Sequence, residues 1–218
     1  MRQMTVRLLG PFAVLINGVP ATGFSYAKVR ALLAYLALRR RHPHSRAALA
    51  ALPWPDQPER VARASLSQAL PTLRAALGDK DAEFPILLAD SLHVQLDPAC
   101  QLAVDVTQFL AALQATDTHA HRSWRTCPHC AEQLQAALAL YAGPFLADVL
   151  IPDSDVFEEW ATQQREHIQQ RVLSALAHVI ERLEWCGDYA AALPYARQLV
   201  ALDPLLEANQ RTLLRLLA

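Results

Sequence analysis

The stretch that decides the fold is residues 58–77, PERVARASLSQALPTLRAAL. Its leucines recur at steps of four, three and four residues, which predicts one apolar stripe along a helix: Leu66, Leu70, Leu73 and Leu77. The side chains that lie off this stripe are polar or cationic: Arg60, Arg63, Ser67, Gln68 and Arg74. A helix of this kind suits the DNA major groove, because Arg and Gln can pair with base edges there. DNA binding is therefore the leading functional hypothesis.

The segment before this stretch predicts two shorter helices. Ser25 is a candidate N-cap for a helix over residues 26–41, YAKVRALLAYLALRRR, because a serine oxygen can accept a hydrogen bond from the first helical turn. Ser45 is the candidate cap of a second helix, Arg46 to Leu52. Two short helices followed by a longer one with a polar face indicate a helix-turn-helix arrangement.

Turn residues mark the remaining boundaries of the first hundred residues. Pro58 suits the first turn of the third helix, and Gly78 is a C-terminal stop for it. Residues 86–96 then predict a strand–turn–strand, which makes the motif a winged helix-turn-helix. At the other end, Asn17-Gly18 is a strong hairpin signal within a small N-terminal sheet over residues 4–22.

Charge is divided unevenly along the chain. The formal net charge is −1, but residues 1–100 carry 12 Lys/Arg against 7 Asp/Glu, and residues 101–218 carry 8 against 14. This asymmetry fits a polyanion-binding half joined to a half with another role. The alternative is two ordinary domains that differ by chance.

Composition excludes several classes of protein. The 218 residues, 53% of them hydrophobic, leave room for two domains with sizeable cores, and four cysteines do not make a disulfide scaffold. The first apolar run, residues 6–16, is too short to cross a bilayer and contains Gly10 and Pro11. We therefore expect a cytoplasmic protein.

We expect no enzyme, since a phosphate-binding glycine loop, a nucleophile elbow and an HExxH motif are all missing.

Beyond Asp97-Pro98 the periodicity is almost wholly helical. The predicted helices cover residues 104–113, 130–141, 155–186, 189–202 and 205–217. The stretch 185–204, WCGDYAAALPYARQLVALDP, is similar to a tetratricopeptide pattern. Such repeats leave an unfinished apolar face at their ends, and the sequence stops at Leu216-Leu217-Ala218 without a polar cap. We therefore expect an N-terminal fragment of a longer protein.

An ordered set of segments gives the chain a family resemblance. The segments are LLGPFAVLINGVPA, KVRALLAYLAL, LPWPDQPERVARASLSQALPTLRAALG, VDVTQFLAAL, LYAGPFL, FEEWATQQRE and GDYAAALPYARQLVALDPLLEANQRTLLRLL. Together they resemble the bacterial transcriptional activator domain regulators, which include the antibiotic regulatory proteins of actinomycetes. That family joins a DNA-binding winged helix, similar to that of response regulators, to an all-helical, tetratricopeptide-like activator domain.

The resemblance implies roles for particular segments. Residues 58–77 correspond to the recognition helix and residues 86–96 to the wing. The positions that would face the groove are Arg63, Ser67, Gln68, Thr72 and Arg74. Arg60 and the run Arg39–Arg41 would meet phosphates, which give affinity without sequence reading. His93 in the wing is a candidate phosphate contact, or an ordinary strand residue. The implied partners are promoter DNA, RNA polymerase and a second copy of the chain.

Two positions depart from the family pattern. Pro71 lies inside the predicted helix, where it removes the hydrogen bond to the Ser67 carbonyl and costs roughly 3 kcal/mol unless the helix kinks. Related helices often carry basic residues near Pro71 and Thr72, and this chain does not. A winged helix used only for protein contacts therefore stays open as an alternative.

The loop at 116–129 leads to a candidate zinc site. His119, His121, Cys127 and Cys130 fall within a dozen residues, and a CxxC pair is a common half of a tetrahedral zinc site. His129 is a substitute for one of the two upstream histidines. The alternatives are chance occurrence of these residues in an exposed loop, or a disulfide between the two cysteines. Four protein ligands would leave no open position, so a zinc ion here would be structural.

Taken together, the sequence predicts a mainly α protein. An N-terminal winged helix-turn-helix with small β-sheets, residues 1–97, precedes an all-α, tetratricopeptide-like domain, residues 98–218. The predicted function is a transcription regulator, in which the helical domain serves dimerisation or polymerase contact. The rival is a protein-interaction or signalling module whose winged helix does not read DNA.

Overall fold

The computed structural model describes residues 2–80, 82–120 and 123–218. The chain forms two compact units, Met1–Thr107 with Gly143–Gln164, and Gln108–Ala142 with Arg165–Ala218. The first unit thus includes a segment that the predicted division at residue 97 assigns to the helical domain, and that division stays a prediction. No helix in the described part of the chain is both long enough and apolar enough to cross a membrane.

A four-stranded sheet begins the first unit. Its strands are β1 (Gln3–Arg7), β2 (Ala13–Ile16), β3 (Val19–Pro20) and β7 (Gln101–Val104), in the order β3-β2-β1-β7. The predicted hairpin is confirmed: β2 pairs antiparallel with β3 across Asn17 (φ 50°) and Gly18 (φ 80°). Positive φ at both central residues is what a type I′ turn requires.

Strand β7 was not predicted, and it lies beyond Asp97-Pro98, where the periodicity is almost wholly helical. It pairs in parallel with β1, with Gln3 opposite Gln101 and Val6 opposite Val104. Four residues are too few for the alternation of buried and exposed side chains to become visible in the sequence. The pairing depends on contact with a strand about a hundred residues earlier, which sequence pattern does not reveal.

Three helices follow the N-terminal hairpin: α1 (Ala27–Leu38), α2 (Arg46–Ala51) and α3 (Glu59–Ala76). Ser45 caps α2 as predicted, because its hydroxyl accepts a hydrogen bond from the Ala48 N–H at 3.2 Å. The proposed cap at Ser25 is wrong, since α1 starts after Tyr26 without a side-chain cap. The extended backbone of Tyr26 (φ −96°, ψ 127°) moves the helix start one residue along the chain.

The second sheet forms the wing. Strands β4 (His44–Ser45), β5 (Leu87–Ala89) and β6 (His93–Leu96) are ordered β4-β6-β5, all antiparallel. The β5–β6 hairpin turns at Asp90–Leu92. With the three helices before it, this sheet completes the predicted winged helix-turn-helix.

The returning segment 143–164 packs as part of the first unit. Phe145 forms a bridge with Leu9, and the Leu146 N–H donates to the Leu8 carbonyl at 2.8 Å. Ser154, with no exposed surface, donates to the Leu52 carbonyl at 2.6 Å. These hydrogen bonds tie the segment to the residues after β1 and to the end of α2, in keeping with its place in the first unit.

Every regular element in the described part of the second unit is a helix. It contains most of α4 (Asp105–Thr118), a 3₁₀ turn (Trp124–Thr126), α5 (Pro128–Ala139), the rest of α6 (Asp155–Trp185), α7 (Tyr189–Leu202) and α8 (Glu207–Leu217). The Asp188 carboxylate caps α7 by accepting from the Ala191 N–H. The predicted break between the helices at 155–186 and 189–202 is confirmed, whereas the predicted loop 116–129 is shortened by α4 and α5.

Candidate nucleic-acid interface

Helix α3 presents two chemically distinct faces. The predicted leucine stripe is confirmed, since Leu66, Leu70, Leu73 and Leu77 are each at most 3% exposed. Ala62 extends the same buried face. This face anchors the helix in the first unit and fixes which side chains point to solvent.

The exposed face carries the predicted DNA-contact residues. Arg60, Arg63 and Ser67 are exposed, and Arg74 is half-buried. Steps of three, four and seven residues place these four in one row along the helix, and Gln68 with the half-buried Thr72 forms a neighbouring row. One helix therefore brings together all six of its predicted contact residues on its non-leucine faces.

The cations of this face differ in their local partners. The Arg63 guanidinium lies 3.5 Å from the Glu59 carboxylate, one helical turn earlier. Arg60 and Arg74 have no carboxylate within ion-pairing distance among residues 2–80, 82–120 and 123–218. By contrast, Lys28 and Arg30 are paired with Asp153 and Asp148. The ion pairs of the unit thus leave α3 with cations available to a polyanion.

Ser67 is held by a hydrogen-bond network. Its hydroxyl accepts from the Arg46 guanidinium at 2.7 Å and donates to the Arg63 carbonyl at 2.8 Å. Arg46 also donates to the Asp90 carbonyl at 3.1 Å. One guanidinium therefore joins the start of α2 to α3 and to the turn of the wing. The sequence reasoning missed Arg46, although its place directly after the Ser45 cap marks it as the first residue of α2.

Pro71 does not end the helix. Helix α3 continues through it from Glu59 to Ala76, and Pro71 is exposed in the same row as Arg63, Ser67 and Arg74. A proline in this row removes one backbone donor and adds an uncharged ring to the face. The predicted contact residues Ser67 and Thr72 lie on either side of it along the chain.

The wing exposes His93 at the start of its middle strand. His93 begins β6 and is paired with Ser45 of β4. The Asp90 carboxylate accepts hydrogen bonds from the N–H groups of Leu92 and His93, both at 2.7 Å. The hydrogen bond from His93, followed by that from Leu92, lowers the pKa of the Asp90 carboxyl. The tip of the wing therefore keeps a negative charge next to its histidine.

Part of the basic run Arg39–Arg41, which follows α1, makes contacts within the first unit. Arg40 donates to the carbonyls of Pro98 and Cys100, at 3.0 and 3.2 Å. The Arg39 guanidinium lies 5.2 Å from the centre of the Tyr35 ring. Arg41 is exposed. The predicted phosphate contact by this run stays a prediction, with Arg39 and Arg41 as its exposed members.

A buried ion pair connects the end of α3 to the first strand of the wing hairpin. The Asp79 carboxylate, whose side chain has no exposed surface, pairs with the Arg2 guanidinium and accepts from the Leu87 N–H at 2.8 Å. Arg2 also donates to the Leu77 carbonyl. Sequence reasoning missed this pair, because nothing in the pattern connects Arg2 with a residue 77 positions later.

The second unit brings together three of the four predicted metal ligands. His119, Cys127 and Cys130 place one nitrogen and two sulfur atoms within 4.8 Å of one another. The fourth predicted ligand, His121, lies outside the described residues. His129 is exposed, and its ring centre is 5.0 Å from that of His119. A hydrogen bond from the Cys130 N–H lowers the pKa of the Cys127 thiol, whereas burial raises the pKa of Cys130.

The chain has relatives among known proteins. Residues 104–218 match the family described as "Bacterial transcriptional activator domain". The chain is 28% identical over 197 residues to the transcriptional regulatory protein EmbR of Mycobacterium tuberculosis and to the protein of that name from Mycobacterium bovis. These alignments cover 88% of this chain and 47% of each relative.

A solved structure extends the similarity to both units. The structure of Mycobacterium tuberculosis EmbR in complex with a low affinity phosphopeptide matches with a TM-score of 0.69 and 26% identity. The match covers 99% of this chain and 55% of that one. The chain thus spans about half the length of the relatives it matches.

Proposed function

The chain belongs to the bacterial transcriptional activator domain family, and we propose that it regulates transcription by binding promoter DNA through α3 and the wing. The observation that carries this proposal is the row of exposed Arg60 and Arg63 and half-buried Arg74 on α3, beside a buried leucine stripe. Because the leucines hold the helix in the core, the row stays available to a groove. Chromosomal DNA in the cytoplasm would be the ligand.

Within this interface the side chains have different tasks. Arg63 and Arg74 are suited to base edges, since arginine pairs bidentately with guanine in the major groove. Gln68 and Thr72 offer further polar contacts from the neighbouring row, while Arg60 and His93 are placed for phosphates. The hydrogen bonds of Arg46 would hold the wing and α3 at a fixed spacing, so that both meet one duplex.

The helical unit would supply protein contacts. Its C-terminal part exposes large apolar side chains, among them Leu205 at 94%, Leu214 at 65% and Leu217 at 56%. Leu214 and Leu217 are three residues apart on α8 and so share one face of that helix, and an exposed apolar face is typical of surfaces for protein partners. Dimerisation or contact with RNA polymerase would cover this surface and link DNA binding to activation.

The test starts from a footprint of the full chain on genomic promoter fragments, which defines a duplex for affinity measurements. Arg63→Ala and Arg74→Ala should each weaken specific binding by about 1–3 kcal/mol, or about 5- to 150-fold. Arg197→Ala is the matched control, because Arg197 is an exposed arginine of α7. Unchanged affinity in both α3 variants would remove the groove assignment.

The exposed leucines also favour a second candidate function. A tetratricopeptide-like module can act through protein contacts alone, with a winged helix that does not read DNA. In that case the chain binds duplex weakly, without a preferred site, and replacing Leu214 rather than Arg63 abolishes activity. A specific footprint would exclude this alternative.

A further inference from the structure

We propose that the second unit binds a structural zinc ion through His119 Nδ1, Cys127 Sγ and Cys130 Sγ. The His119 Nδ1 lies 3.2 Å from the Cys130 sulfur and 3.6 Å from the Cys127 sulfur. Tetrahedral zinc with Zn–S of about 2.3 Å and Zn–N of about 2.0–2.1 Å sets neighbouring N and S ligands about 3.5 Å apart. The three side chains are thus already spaced as ligands of one ion.

The local backbone explains this spacing. Cys127 is the N-cap residue of α5, and Cys130 lies in its first turn, so both sulfurs are held by the same helix start. The Cys127 carbonyl accepts from the Ala131 N–H at 3.3 Å, which fixes the cap. His119 directly follows α4. A metal at this point would connect the end of one helix to the beginning of the next.

The ligands belong to a segment that has little apolar burial of its own. Between α4 and α5, none of the described side chains is buried. The segment is held by contacts with α6, in which Trp124 packs on His178 with ring centres 4.8 Å apart and Arg125 pairs with Glu181. A metal bound by His119, Cys127 and Cys130 would cross-link the two ends of this segment. Structural zinc stabilises domains with small apolar cores in the same way.

Zinc is favoured over other ions by the ligand chemistry. Two thiolates and an imidazole are soft or borderline ligands, which suit zinc and exclude calcium and magnesium, whose ligands are oxygens. A structural zinc site takes a fourth protein ligand, and His129, whose ring centre lies 5.0 Å from that of His119, is a candidate for this position. The inference concerns the second unit alone, so it stands or falls separately from DNA binding.

The experiment is a metal titration of the full chain, reduced and stripped of metal. Co²⁺ should bind at one equivalent, with thiolate-to-metal charge-transfer absorption and the intense visible bands of a tetrahedral site, and Zn²⁺ should displace it. Absence of thiolate charge transfer in the reduced protein would overturn the proposal. Metal bound only after partial unfolding, detected by circular dichroism, would also overturn it.

Variants separate this site from incidental thiol binding. Cys127→Ser should weaken Zn²⁺ binding by more than the 10–100-fold typical of losing an outer-shell partner. Cys127 is half-buried, so the variant should fold, and His119→Ala provides a second ligand loss that leaves both thiols in place. Cys186→Ser is the control, since Cys186 is exposed at the end of α6. Equal zinc affinity in Cys127→Ser, His119→Ala and the control would refute the assignment.

Zinc removal should also have a structural signature. Amides of residues 123–130 should exchange hydrogen faster in the metal-free chain, and added Zn²⁺ should restore protection. Wing amides of residues 93–96 serve as an internal reference. Identical exchange of residues 123–130 with and without Zn²⁺ would contradict a structural role.

Discussion

Replacing Asp79 by alanine should loosen the wing far more than any exposed substitution. The Asp79 carboxylate has no exposed surface, pairs with Arg2 and accepts from the Leu87 N–H at the start of β5. Arg2 in turn donates to the Leu77 carbonyl at the end of α3. Asp79→Ala thus removes a group that joins Arg2, directly before β1, to the end of α3 and to the wing.

The magnitude follows from what the substitution leaves unpaired. Breaking a buried ion pair by removing one partner costs about 3–5 kcal/mol, and an unsatisfied buried N–H costs about 1–3 kcal/mol. Both costs arise from the loss of one carboxylate and are not added, and the Arg2 side chain, which is 19% exposed, can recover water, so the lower end of the ion-pair range applies. We therefore expect a loss of about 3 kcal/mol in the local opening free energy, which is a roughly hundredfold change.

Native-state hydrogen exchange measures this loss segment by segment. Amides of β5 and β6 should exchange about a hundredfold faster in Asp79→Ala, while those of α7 and α8 keep their rates. Asp79→Asn keeps an oxygen acceptor for the Leu87 N–H and should give a smaller increase. If Asp79→Ala changes wing exchange by less than about fivefold, the ion pair does not support the wing and the reasoning fails.

Two further predictions concern the core of the first unit. The Asp105 carboxylate accepts hydrogen bonds from the N–H groups of Leu8, Leu9 and Val106. Asp105→Ala should destabilise the first unit by about 3 kcal/mol or more, because each buried N–H left without an acceptor costs about 1–3 kcal/mol. Gly23→Ala should cost about 1–3 kcal/mol, because a Cβ there would lie 2.8 Å from the Ala76 Cα. Urea unfolding followed by circular dichroism measures both.

Matched substitutions control these measurements. Asp153→Ala removes an exposed carboxylate that pairs with Lys28, and should change stability by less than about 1 kcal/mol. Asp105→Asn keeps one acceptor oxygen and should be milder than Asp105→Ala. Equal stability of Asp105→Ala and Asp153→Ala would show that the backbone hydrogen bonds at Asp105 contribute little. If Gly23→Ala is as stable as the wild type, the backbone at Gly23 can move away from Ala76 of α3 without loss of stability.

The sequence predicted those parts of the molecule whose signals are local. The leucine spacing of α3, the Ser45 cap and the Asn17-Gly18 turn each act within a few residues, and the structure shows all three. The His/Cys spacing likewise predicted a group of ligands, and three of them lie close together in the structure. The two cysteines are near each other because both lie at the start of one helix. In each case a short stretch of chain contains both partners.

The features that were missed depend on contacts between distant residues. Strand β7 exists because β1 offers it a hydrogen-bonding edge. The Arg2–Asp79 pair and the inclusion of residues 143–164 in the first unit join positions more than 70 residues apart. Arg46 has no pattern of its own, and only the fold places its guanidinium between Ser67 and Asp90. Such contacts become visible when tertiary structure is known.

The central claim is that the exposed face of α3 meets the DNA backbone and grooves, and the salt dependence of duplex binding tests it most directly. We expect the observed binding constant to fall steeply with salt, since each phosphate contact contributes about −0.9 to the logarithmic slope. Arg60→Ala should reduce the slope by about 1, and the control Arg197→Ala should leave it unchanged. Duplex binding that is insensitive to salt, or a slope that Arg60→Ala does not alter, would contradict the account.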